Sequence, residues 1–324
     1  MKIIRIDDLN NLNSINNNIN NNIINNTIIT IGVFDGIHLA HKALIDTMIK
    51  YKQNHNIYIG VMTFDPHPDF VLSKRDNDGY ITPINQKIQM FGDLGIDYLF
   101  LINFNKNIAS LDYESFYDKF LKDFKFFVVG SDFRFGYRAL GDAKYLKEKK
   151  NESIILDEIK KDDEKISSSL IRELLNKGEI KKVNNILGHP YELFGKVVKG
   201  AHIGTSLGFP TANIDLSDDY MNIRSGVYLS KVCIKDDKHE YFGICNIGNN
   251  PTLNYVNRKR LEVHIIDYNY QLYDKEISVE LIDYLREEKK FDNKEELINQ
   301  IKKDRDNAIE ILNVNRGEEW KYWL

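Results

Sequence analysis

From Thr27 to about Glu158, short apolar runs alternate with amphipathic stretches, and this alternation narrows the possible folds more than any other feature. The apolar runs are Thr27–Phe34, Ile57–Phe64, Ile96–Asn103, Phe126–Gly130 and Ser153–Leu156. Helical spacing appears in His41–Lys52, Pro83–Leu94, Tyr113–Lys122 and Asp142–Lys149. Ile57-Tyr-Ile-Gly-Val-Met62 and Tyr98-Leu-Phe-Leu-Ile102 show no polar alternation, so both faces are expected to be buried, as in a parallel sheet. A doubly wound, Rossmann-like α/β domain follows, with ligands at the carboxyl ends of its strands. Lys2–Ile6 suits a short edge strand.

Four strand or helix ends carry polar residues. Thr30-Ile-Gly-Val-Phe-Asp-Gly-Ile-His-Leu-Ala-His41 runs from a strand through a turn into a helix, where backbone N–H groups lack intrahelical partners and attract phosphate. His38 and His41, three residues apart, share one face of the first helical turn. In Thr63-Phe-Asp-Pro-His-Pro68, the two prolines are expected to prevent helix and leave a stiff loop presenting Asp65 and His67; a plain loop-ending proline pair reads equally well. Val128-Val-Gly-Ser-Asp-Phe-Arg-Phe-Gly-Tyr-Arg138 combines an acid, two arginines and two phenylalanines, which suits a planar heterocycle or a core turn. Ile166-Ser-Ser-Ser-Leu-Ile-Arg172 opens a helix with three serines and an arginine, a second candidate anion site.

Leu187-Gly-His-Pro190 ends the helical pattern and marks a domain boundary, giving domains 1–187 and 188–324. Beyond it lie short β-rich runs: Tyr191–Val198, Ser206–Ile214, Gly226–Ile234, Tyr241–Ile247, Leu261–Asp267 and Lys275–Leu285. They predict an antiparallel six-stranded barrel, followed by an amphipathic helix over Lys294–Leu312 and a tail docked by Trp320 and Trp323. In Gly208-Phe-Pro-Thr-Ala-Asn213, Thr211 and Asn213 face the same side of an extended chain. They offer hard oxygen ligands for a Mg²⁺ that bridges nucleotide phosphates. Glu262, a lone carboxylate in a strand, is either a salt-bridge partner or a general base.

A chain of 324 residues can build two cores. Its net charge of −4 gives no basic field for nucleic acid or anionic lipid, and no apolar run approaches a membrane span. The N-terminus has no signal-peptide pattern, and Cys233 and Cys245 read as buried strand residues in a reducing cytoplasm. Eleven of the seventeen residues from Asn10 to Asn26 are Asn, which predicts a surface loop.

Together these motifs resemble the bifunctional riboflavin kinase/FAD synthetase family of prokaryotes, from about Thr27 to Asp306. Gly32-x-Phe-Asp-Gly-x-His-x-x-His41, Asp132-Phe-Arg-Phe-Gly136 and Ile166–Arg172 are similar to its adenylyltransferase set. Gly208–Asn213, Gly226-Val-Tyr228, Asn246-Ile-Gly248 with Pro251-Thr252, and Glu262-x-His264 are similar to its kinase set. The resemblance implies that riboflavin is phosphorylated to FMN and FMN adenylylated to FAD, with ATP as co-substrate and Mg²⁺ as cofactor.

It further implies an ATP site in the first domain from Gly32, Phe34, Asp35, Gly36, His38, His41, Ser168, Ser169 and Arg172. Pro66, His67, Asp132, Phe133 and Phe135 would line the flavin and adenine pockets. In the kinase, Thr211 and Asn213 would hold metal and ATP, Glu262 would be the base, and Arg286 would lie near the flavin. A monomer or weak homo-oligomer is expected. Ala40, Thr205, Asn250 and Asp274 depart from the family's Gly, Arg, Arg and Gly. The two lost arginines make a monofunctional FAD synthetase with a weakened kinase module the alternative; a non-catalytic flavin-binding regulator is a third reading.

Overall fold

The computed structural model describes residues 1–6, 21–73, 79–199, 208–249, 259–268 and 271–315. It divides into two compact units, Met1–Asp78 with Thr82–Ser167, and Gly79–Ile81 with Ser168–Leu324. Thr205, Asn250, Pro251, Thr252, Trp320 and Trp323 lie outside the described residues, as do residues 10–20 of the Asn-rich stretch.

In the first unit, six parallel strands form one sheet: β1 (Lys2–Ile6), β2 (Thr27–Ile31), β3 (Tyr58–Asp65), β4 (Tyr98–Asn103), β5 (Phe126–Gly130) and β6 (Ile154–Leu156). Their spatial order is β1-β4-β3-β2-β5-β6. The chain winds outward from β2 through β3 to β4, then crosses to the other side of β2 for β5. The carboxyl end of β2 therefore lies at the switch point where such sheets bind ligands. Ile28, Phe126 and Leu99 face one apolar cluster with Ile45, Met48 and Phe91. Ile29, Phe127 and Phe100 face the other with Phe120 and Phe124. Burial on both faces explains why these strands read as continuous apolar runs.

Helices α1 (Leu39–Gln53), α2 (Ile84–Asp93) and α3 (Ala143–Lys149) match the expected amphipathic stretches within a few residues. Tyr113–Lys122 is helical only as Tyr113–Phe116 and continues as a wider π turn over Tyr117–Leu121. Two local expectations are corrected. Asn21–Ile24 forms a helical turn inside the expected surface loop, because Ile24 packs into the core. Pro68 starts a helical turn, Pro68–Val71, at the first helical position, where its missing N–H removes no bond.

The second unit opens with α4 (Ser168–Lys177) and α5 (Ile180–Leu187), the latter ending at Gly188 with φ +76°. The Asn184 side chain accepts from Tyr191 N–H at 2.8 Å and donates to the Leu281 carbonyl at 2.8 Å, tying α5 to the barrel. The barrel strands are β7 (Tyr191–Val198), β8 (Ala212–Leu216), β9 (Gly226–Ile234), β10 (Glu240–Asn249), β11 (Lys259–Ile265) and β12 (Glu276–Arg286). They close antiparallel in the order β7-β8-β11-β10-β9-β12. A terminal helix, α6 (Lys294–Asn315), covers Val227, Leu229 and Ile244 on the outer wall through Ala308, Ile311 and Leu312.

Candidate active sites

At the carboxyl end of β2 the backbone turns sharply, with Phe34 at φ +53°, Gly36 at +102° and Ile37 at +40°. Two side-chain residues in the left-handed region mark stored strain, sustained by tight packing. Phe34 and Ile37 are buried, and the Phe34 ring meets Phe91 edge-on and His41 at 4.8 Å. A Cβ at Gly32 would come within 3.2 Å of the Phe34 ring, so the smallest residue lets the turn fold back on itself. The Asp35 carboxylate, 1% exposed, accepts from Thr82 N–H at 3.1 Å. The Val33 carbonyl accepts from both the Thr63 hydroxyl at 3.0 Å and the Lys87 ammonium at 2.9 Å. These bonds fix the turn to β3 and α2.

His38 caps α1, its Nδ1 accepting from His41 N–H at 3.4 Å. The cap uses the Nδ1 lone pair, so in neutral His38 the proton resides on Nε2. The His41 ring stacks on His38 at 3.6 Å and 12°, and its buried Nδ1 has no hydrogen-bond partner among the described residues. Burial pushes the His41 pKa well below 6.5, helped by His38 and Lys87. His41 is therefore suited to hydrogen bonding an anion as a neutral imidazole. Ala40 lies half-buried in the first turn of α1 between them.

Asp65 ends β3, and Pro66 follows it through a cis peptide bond. His67 is 6% exposed; its Nδ1 accepts from Asp69 N–H at 3.1 Å and its ring lies 5.1 Å from Phe70. The Asp132 segment follows β5. Asp132 pairs with Lys165 at 2.6 Å, and Lys165 also bonds Glu158 at 2.6 Å; the two carboxylates raise the lysine's pKa. Phe133 and Phe135 stack at 5.6 Å, with Phe135 buried against Phe116 and half-buried Phe133 toward the surface. Gly136 holds the segment at φ +72°, where a Cβ would lie 2.5 Å from the Tyr113 backbone.

Ser168 and Ser169 begin α4 in the second unit. Arg172, 8% exposed, donates to the Gly79 carbonyl at 3.1 Å and reaches the Met221 sulfur at 3.8 Å.

In the barrel, Asn213 of β8 and Asn246 of β10 both stand directly opposite Glu262 of β11. Their neighbours Ala212, Ile214, Cys245, Ile247, Leu261 and Val263 are buried, whereas these three are half-buried. Alternation thus places a polar row on the outer wall and an apolar lining inside. Glu262 helps burial to raise the Cys245 thiol pKa well above 9.0, so its carboxylate is felt on the β10 side. On the inner side of the same strands, a cavity of about 180 Å³ is lined by Val197, Ala212, Val263 and Ile265, with Thr211 and Tyr273 among its further lining residues. His264 Nδ1 bonds the Pro210 carbonyl at 2.9 Å, bracing the segment that carries Thr211. Arg286, opposite Val227 in the register, is engaged by Asp304 of α6 through bonds of 2.7 to 3.0 Å. Asp274 adopts φ +63°, which explains why a glycine-like residue suits that turn.

A family profile described as FAD synthetase matches residues 20–170, and one described as riboflavin kinase matches residues 187–312. The bifunctional riboflavin kinase/FMN adenylyltransferase of Bacillus subtilis (strain 168) is 35% identical over 292 residues, covering 87% of this chain and 92% of that protein. The chain belongs to the bifunctional riboflavin kinase/FMN adenylyltransferase family. The Escherichia coli (strain K12) protein of the same description is 31% identical, with 89% and 94% covered. Among solved structures, one titled as a macrolide-efflux protein from Streptococcus pneumoniae superposes with a TM-score of 0.84 at 28% identity, covering 95% of this chain and 99% of that one. Among the described residues, no helix is long and apolar enough to cross a membrane.

Membership of this family gives the chain both activities, riboflavin kinase and FMN adenylyltransferase, with riboflavin, FMN and ATP as substrates. ATP-using enzymes of these two kinds generally need a divalent metal. The monofunctional alternative is not favoured, since both halves match. Sequence reasoning did not single out Lys87, an apparent surface lysine in a helical stretch. Tyr268, Gln271 and Tyr273 of the barrel cavity were also missed, since nothing in their spacing marks a site.

Proposed function

We propose that residues 1–187 carry FMN adenylylation and 188–324 riboflavin phosphorylation, in a cytoplasmic protein acting as a monomer or weak homo-oligomer without nucleic-acid or membrane partners. The single observation that carries the kinase assignment is the cross-strand register of Asn213, Glu262 and Asn246. It puts one carboxylate between two amides on a wall near Thr211, which also lines the inner cavity of about 180 Å³. Glu262 takes the proton of the riboflavin 5′-hydroxyl as that oxygen bonds to the γ-phosphorus and ADP leaves. The adenine end of ATP occupies the cavity. Thr211 and Asn213 provide hard oxygen donors, and among the described residues no cluster of three or more His, Cys, Asp or Glu forms a protein cage. That donor set suits Mg²⁺, which keeps several waters and binds largely through substrate phosphates. Bound there, the ion would neutralise charge on the phosphates during transfer.

In the first domain, Gly32, Phe34, Asp35 and Gly36 shape the turn, and His38 and His41 donate Nε2–H bonds to the ATP phosphates. Ser168, Ser169 and Arg172, in the first turns of α4 in the second unit, are proposed as ATP-binding residues. An FMN phosphate oxygen bonds to the α-phosphorus, the α–β bridge breaks and pyrophosphate leaves. No protein nucleophile is required; positioning and hydrogen bonds to the departing charge supply the rate. Pro66, His67, Asp132, Phe133 and Phe135 form the flavin side of this site, and Arg286 serves the flavin in the kinase. The two free cysteines, Cys233 and Cys245, accord with a reducing compartment.

The test is product analysis with purified protein, ATP and Mg²⁺. Riboflavin should give FMN and then FAD, and FMN alone should give FAD. Chelating the metal should stop both steps. FAD from FMN without FMN from riboflavin would leave the kinase half of the reading unsupported.

A further inference from the structure

The polar row on the barrel wall has an order. Across neighbouring strands it runs Asn213, Glu262, Asn246, Val227 and then Arg286. Thr211, two residues before Asn213 in the chain, marks the Asn213 end. If Glu262 is the base, as proposed above, the nucleotide approaches from that end and the hydroxyl acceptor must enter from the other. In-line transfer puts the attacking oxygen across phosphorus from the departing ADP, so a nucleotide held at the Thr211 and Asn213 end leaves the far side of Glu262 for the acceptor. Asn246 is the first polar side chain on the acceptor side, nearer Glu262 than Arg286 is. It stands directly opposite Glu262, at the spacing at which cross-strand side chains interact.

Its chemistry fits that place. No hydrogen bond engages the Asn246 side chain among the described residues, although Ser230 and His264 elsewhere in the barrel are both engaged by backbone carbonyls. An amide carries two donors and an acceptor, which matches a chain of vicinal hydroxyls that both donate and accept. Beyond it the row turns apolar at Val227, which is 5% exposed beneath α6. We infer that Asn246 binds the ribityl hydroxyls of riboflavin and thereby sets the 5′-hydroxyl within reach of Glu262. Asn246 thus selects a polyol side chain over a flavin lacking one.

The test uses the full chain and follows FMN-type product formation from riboflavin and its 2′-, 3′- and 4′-deoxy analogues. Wild type, Asn246→Ala, Asn246→Ser and Glu262→Gln are compared. Asn246→Ala should lower kcat/KM for riboflavin about 10- to 100-fold, the scale of losing one or two hydrogen bonds in a sheltered site. KM for ATP should stay within about 3-fold of wild type. With the analogue lacking the hydroxyl that Asn246 holds, the penalty should shrink to about 2-fold, because the two deletions then remove the same interaction. Asn246→Ser keeps a donor and an acceptor and should recover part of the rate; it carries the same comparison if the alanine variant folds poorly. An equal penalty on all four flavins, or a loss explained by KM for ATP, would overturn the inference. Glu262→Gln separates it from the reading beneath it. Full-rate FMN formation by that variant would remove the base, whatever pattern the Asn246 variants show with the analogues.

Discussion

The imidazole rings of His38 and His41 lie 3.6 Å apart and 12° from parallel, face to face at the first turn of α1. Two imidazolium ions could not rest in this arrangement without strong repulsion, and burial together with His38 and Lys87 holds the His41 pKa well below 6.5. The folded state therefore resists a proton that the unfolded chain accepts. Stability is fully present above pH ~6.5, the unperturbed histidine value, and declines as pH falls through the window down to the lowered folded pKa. Urea unfolding of wild type and His41→Gln between about pH 7.5 and 5 checks this. The variant should lose less stability than wild type over that range, and parallel curves would contradict the assignment.

Lys87 is 1% exposed and donates to the Val33 carbonyl at 2.9 Å, at the back of the turn that follows β2. Replacing it with methionine keeps length but removes the charge and the bond. Lys87→Met should raise KM for ATP in FAD formation by about 10-fold or more, the scale of a charged hydrogen bond. FMN formation from riboflavin should be unaffected. An unchanged KM for ATP in FAD formation would show that Lys87 only fills space.

His38, His41 and Lys87 also show what the sequence could and could not reveal. The histidines are three apart in a strand–turn–helix segment, so local pattern was enough to pick them out. Lys87 lies 54 residues from the carbonyl it serves, and only the packing of α2 brings it there. The barrel shows the same divide. Tyr191–Val198 and Gly226–Ile234 were legible to the residue, because alternation and flanking turns bound them. The row that aligns Asn213 with Glu262 and Asn246 depends on strand register, which no single strand encodes. The helical turn at Pro68 was misread because proline stops a helix from the inside yet starts one well.

Asp304 of α6 is 6% exposed and accepts from Arg286 through both carboxylate oxygens and from Gln300 at 2.9 Å. Asp304→Asn should destabilise the barrel by roughly 2–3 kcal/mol, since it leaves a guanidinium short of its charged partner. Urea unfolding measures this. If Arg286 serves the flavin, KM for riboflavin should rise more than KM for ATP. Equal effects on both would confine the pair to holding α6.

The central claim is that one chain holds two chemically separate sites, Glu262 on the barrel wall and His38 with His41 at the sheet's switch point. The most direct measurement is product formation from riboflavin and from FMN by Glu262→Ala and by the double variant His38→Ala/His41→Ala. Glu262→Ala should lose FMN formation by about 100-fold or more while making FAD from FMN at the wild-type rate. The histidine variant should make FMN normally and lose FAD formation. FMN formation at full rate without Glu262, or FAD formation at full rate without both histidines, would contradict the account.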